Sequence, residues 1–297
     1  MGQQWAKDYP SVAAYFEKAD SVLGRPISRI AFQGPPEELN RTVNGQPAIF
    51  VLNCGCYALW RDFCPSAVAG HSLGEFPALV ACGALSFDQA LKMVEKRAEL
   101  MQESAELSPG AMLAVLGLAT EVVEKVVETN RTKGVVSLAN YNCPGQVVVS
   151  CEASLLAEIE RQLGERGAKK VVRLPVSGGF HSPLISQAAA AFGAYLRDVP
   201  FSAPTTVLVS NFSGRGTTDA AEIKHNILQQ MSSPVRWEES IRWMLQEGIS
   251  TFVELGPGRV LQGLIKRISK SVEVRSMEDA SLDELQEWLR ARIEDRE

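Results

Sequence analysis

A serine hydroxyl becomes a useful nucleophile when a turn exposes it and a neighbouring base can take its proton. Gly70-His71-Ser72-Leu73-Gly74 fits the pattern G-x-S-x-G, with the apolar run 66–70 before it and a helix-like run behind it. In such an elbow the glycines permit a sharp bend that presents the Ser72 hydroxyl. The backbone N–H of Leu73, at a helix N-terminus, then favours a developing oxyanion. A tight turn needing only small residues is the plainer reading; the setting between strand and helix favours the catalytic one. Pro77 cannot donate a backbone hydrogen bond to the Leu73 carbonyl and is expected to loosen the opening turn of that helix.

Three histidines are available as base. His71 adjoins Ser72 on the elbow, where neighbouring side chains diverge, and His225 sits in a polar stretch that reads as surface. His181 closes the run Pro175-Val176-Ser177-Gly178-Gly179-Phe180, in which two glycines let the backbone approach another element closely. It is therefore favoured as base over a structural histidine at a domain junction. A helix is expected over 86–105, opened by a Ser86/Gln89 capping box and carrying the stripe Phe87, Ala90, Leu91, Val94, Ala98 and Met101. At about 100° per residue Arg97 falls on the shoulder of that stripe while Lys96 points away, so Arg97 borders something buried.

The elements that must position these groups follow from periodicity. A helix is expected over 9–23, an apolar stretch follows over 46–60, and a buried strand is expected over 66–70. The order then becomes strand 112–118, helix 121–130, strands 135–141 and 146–151, helix 154–164 and strand 170–176, the βαββαβ arrangement of a ferredoxin-like unit. Beyond His181 come a helix over 184–197, strand 206–211, helices near 223–231 and 237–246, and strand 251–255. Gly256-Pro257-Gly258 then turns into another helix. That alternation implies a parallel sheet covered on both faces. The expected organisation is an α/β domain made of residues 1–110 and 181–297, with residues 111–180 inserted as a second unit. The charged helix over 281–297 is expected to be solvated.

Apolar residues form 45% and charged residues 22% of the 297, the balance of a globular chain. A net charge of −5 and a pI near 5.5 give no overall reason to bind nucleic acid or anionic lipid. The first residues lack the apolar run of a signal peptide, and no stretch reaches the roughly 18 apolar residues of a membrane span, so a cytoplasmic location is expected. Six cysteines (Cys54, Cys56, Cys64, Cys82, Cys143, Cys151) occur without CxxC or a zinc-ligand spacing and read as buried, reduced thiols; no metal site is expected.

Several ordered motifs together resemble the malonyl-CoA:acyl carrier protein transacylases. They are Gly70-His71-Ser72-Leu73-Gly74-Glu75, Lys96-Arg97 before Met101-Gln102, Asn140-Tyr141-Asn142-Cys143-Pro144-Gly145-Gln146, Phe180-His181-Ser182 and Glu254-Leu255-Gly256-Pro257-Gly258. The resemblance implies a hydrolase-like domain with a ferredoxin-like insertion, and malonyl transfer from coenzyme A to the phosphopantetheine thiol of an acyl carrier protein, for fatty acid or polyketide assembly. It implies no cofactor, the coenzyme A thioester being a substrate. Ser72 would carry the acyl ester, His181 would act as base and then acid, and Arg97 would grip the free malonyl carboxylate with its planar fork. Phe180 would leave little room for an α-methyl branch. A backbone carbonyl at Gln230 would orient His181, so substituting Gln230 is expected to matter little.

The family begins with a strand and a Gly-Gln-Gly-type loop that supplies a second oxyanion donor, whereas this sequence opens at Met1-Gly2, after the place of that loop. Two readings are open: either the numbering begins at an internal start, or the protein lacks one donor, at a cost of about 10² to 10³ in turnover, and has sheet edges that the missing strand would cover. Two other readings stay open. One is a non-catalytic carrier-binding protein, in which Lys266, Arg267 and Lys270 form either a docking patch or a solvated helix face. The other is a serine esterase or thioesterase, against which Arg97 and the lack of an acidic partner for His181 argue.

Overall fold

The computed structural model describes residues 1–176 and 178–294. Five helices come first: α1 (Gln3–Asp8), α2 (Pro10–Leu23), α3 (Ile27–Gln33), α4 (Pro36–Leu39) and α5 (Thr42–Ala58). Helix α5 is apolar nearly all round and buries Ala48, Phe50, Val51, Leu52 and Cys54, so it runs through the core. Pro47 within it leaves the Val43 carbonyl without its usual donor; Arg25 Nη2 fills that role at 2.8 Å.

Strand β1 (Ala67–Ala69) leads through a 3₁₀ turn (Ser72–Gly74) into α6 (Glu75–Ala81). Because α6 starts at Glu75, Pro77 falls in its first turn, where an amide has no intrahelical acceptor anyway. The expected loosening therefore takes the form of a separate 3₁₀ step. Helix α7 (Phe87–Leu107) carries the Ser86/Gln89 capping box, and its buried face includes Arg97 itself.

Next come β2 (Gly110–Leu116), α8 (Thr120–Asn130), β3 (Val136–Cys143), β4 (Gln146–Glu152), α9 (Leu156–Glu165) and β5 (Lys170–Arg173). These four strands form one sheet in the order β3-β4-β2-β5, every neighbouring pair antiparallel. Leu113, Val123, Val127, Val149 and Ile159 give it a core of its own. Strand β5 stops at Arg173, short of the expected Val176, with Pro175 just beyond it; Ser177 lies outside the described residues.

The remaining elements are α10 (Ser186–Leu196), β6 (Val207–Val209), β7 (Gly216–Thr217), α11 (Ala220–Gln230), α12 (Trp237–Gln246), β8 (Thr251–Glu254), α13 (Val260–Ile268), β9 (Glu273–Ser276) and α14 (Leu282–Glu294). The single parallel sheet expected here is two sheets. β1 pairs parallel with β6, which pairs antiparallel with β7, while β8 pairs parallel with β9. Among the described residues no strand joins β1 to β8. The fold is α/β with mixed sheets.

Helix α14 is not the solvated tail expected. Leu285 is buried in the main core, and Gln286 Nε2 donates to the Leu59 carbonyl at 2.8 Å. Residues 295–297 lie outside the described residues. The cysteines are unpaired, and Cys64 is exposed, contrary to expectation, since it follows the end of α5 in the turn before β1. Among the described residues no helix is long and apolar enough to cross a membrane.

Candidate active site

Ser72 (φ 51°) and His181 (φ 55°) are the only non-glycine residues with positive φ among those described. L-residues adopt this region at a cost of order 1–3 kcal/mol each and hold it only where the surroundings enforce it. For Ser72 the enforcing contact is the elbow. A Cβ on Gly70 would stand 2.0 Å from the Gly74 carbonyl, so the strand end and the turn can meet only at glycine. For His181 it is the approach of the preceding glycines to β2: a Cβ on Gly110 would lie 2.6 Å from the Gly179 amide.

These two conformations bring the side chains tip to tip, with Ser72 Oγ 2.7 Å from His181 Nε2. On the other edge of the ring, Nδ1 lies 3.0 Å from the Gln230 carbonyl and 3.2 Å from the Ser233 carbonyl. Carbonyls only accept, so Nδ1 carries the proton and Nε2 presents a lone pair to the serine hydroxyl. Burial first, and then the charge of Arg97, depress the His181 pKa from 6.5 to about 3. The two carbonyls resist that shift but do not overcome it.

Arg97 is 1% exposed and reaches Ser72 directly, its Nη2 donating to Ser72 Oγ at 3.1 Å and to Gln230 Oε1 at 3.3 Å. Nη1 donates to Gln46 Oε1 at 2.6 Å, whereas the buried Nε has no partner. Nε and Nη2 form one edge of the guanidinium, the edge that grips a carboxylate with two parallel bonds. Burial lowers the Arg97 pKa only to about 10, so it remains a cation.

Behind the elbow, Glu75 is fully buried, and its Oε2 accepts from Gln230 Nε2 at 2.7 Å. Both its oxygens lie 3.3 Å from the Asn211 amide. Burial raises its pKa from 4.5 to about 7, against the pull of these donors and of Arg97. Asn211 Oδ1 accepts from the Ser72 amide at 2.6 Å, and its Nδ2 donates to the Gly70 carbonyl, which fixes both sides of the elbow.

The Gln230 side chain, expected to matter little, makes contacts of its own. Besides its carbonyl on His181, its amide donates to Glu75 and to the Ser72 carbonyl at 2.9 Å, and accepts from Arg97. Gln46, Glu75 and Asn211 were not singled out as site residues. Their one trace in the sequence is a polar residue in an apolar stretch, and the atoms they meet lie far along the chain. Leu73 stands second in the 3₁₀ turn, where its amide has no partner within the turn. Phe180 is buried with its ring close to Gly178. His71 turns to Asn142 Oδ1 at 2.8 Å, and exposed His225 packs edge-on against Phe212.

The description "Acyl transferase domain" fits residues 1–285. A malonyl CoA-acyl carrier protein transacylase of Bacillus subtilis (strain 168) is 38% identical over 288 residues, covering 96% of this chain and 91% of the relative. The chain belongs to the malonyl-CoA:acyl carrier protein transacylase family. An acyl carrier protein S-malonyltransferase from Vibrio cholerae superposes with a TM-score of 0.90 at 37% identity, over 95% of this chain and 93% of that one. A malonyl-transacylase in complex with a type II PKS acyl-carrier protein gives 0.91 at 34% identity, over 95% and 92%. Membership of the transacylase family agrees with a site in which one serine hydroxyl is touched by both an imidazole and a guanidinium.

Gln230→Ala keeps the carbonyl on His181 but leaves Glu75, Arg97 and the Ser72 carbonyl each short of a partner. Turnover is expected to fall roughly 10- to 100-fold in steady-state kinetics; an unchanged rate would mean that only the backbone matters. Neutral His181 contributes stability present above 6.5 and lost as pH falls toward 3. Glu75 has the opposite sign: its contribution is present below 4.5 and lost as pH rises through about 7. In a Glu75→Gln background, rapid-quench acylation should stay flat as pH falls through 6.5, because Nε2 is still unprotonated there. A rate that halves at 6.5 would contradict the depressed value.

Proposed function

We propose that this chain is an acyltransferase that moves a malonyl group from malonyl-CoA to the phosphopantetheine thiol of an acyl carrier protein through an ester on Ser72. His181 Nε2 takes the hydroxyl proton as Oγ attacks the thioester carbonyl, and the Leu73 amide stabilises the oxyanion. As the tetrahedral intermediate collapses, the C–S bond breaks and His181 returns the proton to the sulfur of coenzyme A. The carrier's thiol then gives its proton to His181 and attacks the ester, and Ser72 recovers its hydrogen as it leaves. No cofactor takes part; coenzyme A enters as thioester and leaves as thiol.

The observation that carries this reading is one oxygen, Ser72 Oγ, in hydrogen-bond contact with both His181 Nε2 and Arg97 Nη2. In the acyl-enzyme the Nε and Nη2 edge of Arg97 pairs with the free malonyl carboxylate. In the complex with malonyl-CoA, before Oγ is acylated, the same pairing draws Nη2 off the Ser72 hydroxyl and offsets the positive charge that adds to burial in depressing His181. Phe180, adjoining His181, restricts the α-carbon to an unbranched substituent. The charge of Arg97 explains why a diacid thioester is chosen over a neutral one, and the lack of an acidic partner for His181 suits transfer by this dyad.

We read residues 1–110 and 181–297 as a hydrolase-like catalytic domain and residues 111–180 as a ferredoxin-like insertion. The strand order β3-β4-β2-β5 and the separate core of that segment support the division. Asn142 on β3, bonded to His71 beside the nucleophile, ties the inserted unit to the elbow.

Competition between malonyl-CoA and acetyl-CoA for a phosphopantetheinylated carrier tests the assignment. The unaltered protein is expected to load malonyl in preference. Arg97→Ala should lower kcat/KM for malonyl-CoA by about 10- to 100-fold while sparing acetyl-CoA, the cost of one charge-assisted pair. An unchanged malonyl-to-acetyl ratio, or release of free malonate faster than transfer, would overturn it.

A further inference from the structure

Gln46 reaches across from α5 to two residues of α7, Arg97 and Met101, which stand one turn apart and so share a helix face. Its Oε1 accepts from Arg97 Nη1 at 2.6 Å, and its Nε2 lies 3.3 Å from the Met101 sulfur. Chemistry fixes this orientation of the amide. A guanidinium only donates, so turning the amide over would set NH2 against N–H and leave both unpaired. Thioether sulfur is a weak acceptor, which makes the Met101 contact a support and the Arg97 contact the anchor.

The guanidinium is held from its other sides as well. Nη2 donates to Ser72 Oγ and Gln230 Oε1, and Cζ stands over the Phe76 ring, 5.3 Å from its centroid. All four of these partners, Gln46 included, are neutral. The charge of Glu75 acts on Arg97 only through space, with Gln230 between them: Oε1 accepts from Arg97 while Nε2 donates to Glu75. Neutral groups therefore aim the fork, and no carboxylate among the described residues is in contact with it.

A carboxylate in place of the Gln46 amide would keep the shape and add one negative charge. Tethered to α5, it would sit on Nη1 as a permanent counter-ion, and any carboxylate arriving on a substrate would have to compete with it.

We propose that Gln46 is a positioning residue that sets selectivity for acyl groups with a free carboxylate: it anchors Arg97 at Nη1, leaves the Nε and Nη2 edge open, and does so without neutralising the cation. The inference rests on the reading above in which that edge receives the malonyl carboxylate. An acetyl group has no carboxylate to place there, so Gln46 matters to one substrate and not to the other.

The test measures steady-state transfer from malonyl-CoA and from acetyl-CoA to a phosphopantetheinylated carrier, for the unaltered protein, Gln46→Glu, Gln46→Met and Arg97→Ala. Gln46→Glu is expected to lower kcat/KM for malonyl-CoA by about 10- to 100-fold and to leave that for acetyl-CoA within about twofold. Gln46→Met keeps the bulk but offers no oxygen, so the cation survives without its anchor; a loss of about tenfold, again confined to malonyl-CoA, is expected. Equal losses for both substrates would make Gln46 a packing residue, and a smaller malonyl loss in Gln46→Glu than in Gln46→Met would mean that its neutrality plays no part; either result overturns the proposal. Should the buried glutamate prevent folding, seen as a lost thermal transition, Gln46→Met decides by the same split between substrates. Arg97→Ala separates the inference from the reading beneath it. A malonyl-to-acetyl ratio that falls in Arg97→Ala but stays fixed in both Gln46 variants overturns the role of Gln46 alone, whereas a ratio unmoved by Arg97→Ala overturns both.

Discussion

Ser72 Oγ and His181 Nε2 stand 2.7 Å apart although their residues are 109 positions apart in sequence. Holding that distance requires two L-residues to keep backbone conformations that glycine would adopt more cheaply. The surroundings enforce both conformations. Gly70 and Gly74 close the elbow, Asn211 bonds to the backbone on either side of it, and Gly179 lies against the start of β2. Carbonyls of Gln230 and Ser233 then fix the ring and its tautomer. The reactive geometry is thus prepared before substrate arrives, which is the condition for a short-lived charge to be stabilised without reorganisation.

Electrostatics set what this arrangement can accept. A guanidinium with 1% exposure is costly to desolvate, and here it is held by a glutamine, the Ser72 hydroxyl and the field of a buried carboxylate. Burial, and after it the same cation, keeps His181 unprotonated. The Arg97 Nε has no partner, and Nε with Nη2 is the edge that a carboxylate would pair with. Glu75 sits behind them as a second buried charge, joined to the elbow through Gln230 and Asn211.

Much of this was legible in the sequence where local chemistry decides structure. G-x-S-x-G between strand and helix located Ser72. The Ser86/Gln89 box and the stripe of α7 put Arg97 against the interior, and alternating periodicities gave the βαββαβ order that β2 to β5 adopt. What escaped notice depends on long-range contact. Gln46, Asn211, Glu75 and the Gln230 side chain each find partners between 51 and 158 residues away, which no window of periodicity can show. Strand pairing is of the same kind: the pattern marked β1, β6 and β8 as strands but could not show that they divide between two sheets. Helix α14 misled because its charged face dominates its composition, while Leu285 and Gln286 anchor it.

The central claim is that the Ser72 hydroxyl, and no other group, accepts the acyl chain. Intact-protein mass spectrometry after brief exposure to malonyl-CoA and acid quench, followed by peptide mapping, tests this most directly. A single added malonyl group on the peptide containing Ser72 is the expected result, with none on Ser72→Ala. An adduct that persists in Ser72→Ala, or its absence from the unaltered protein, would contradict the account.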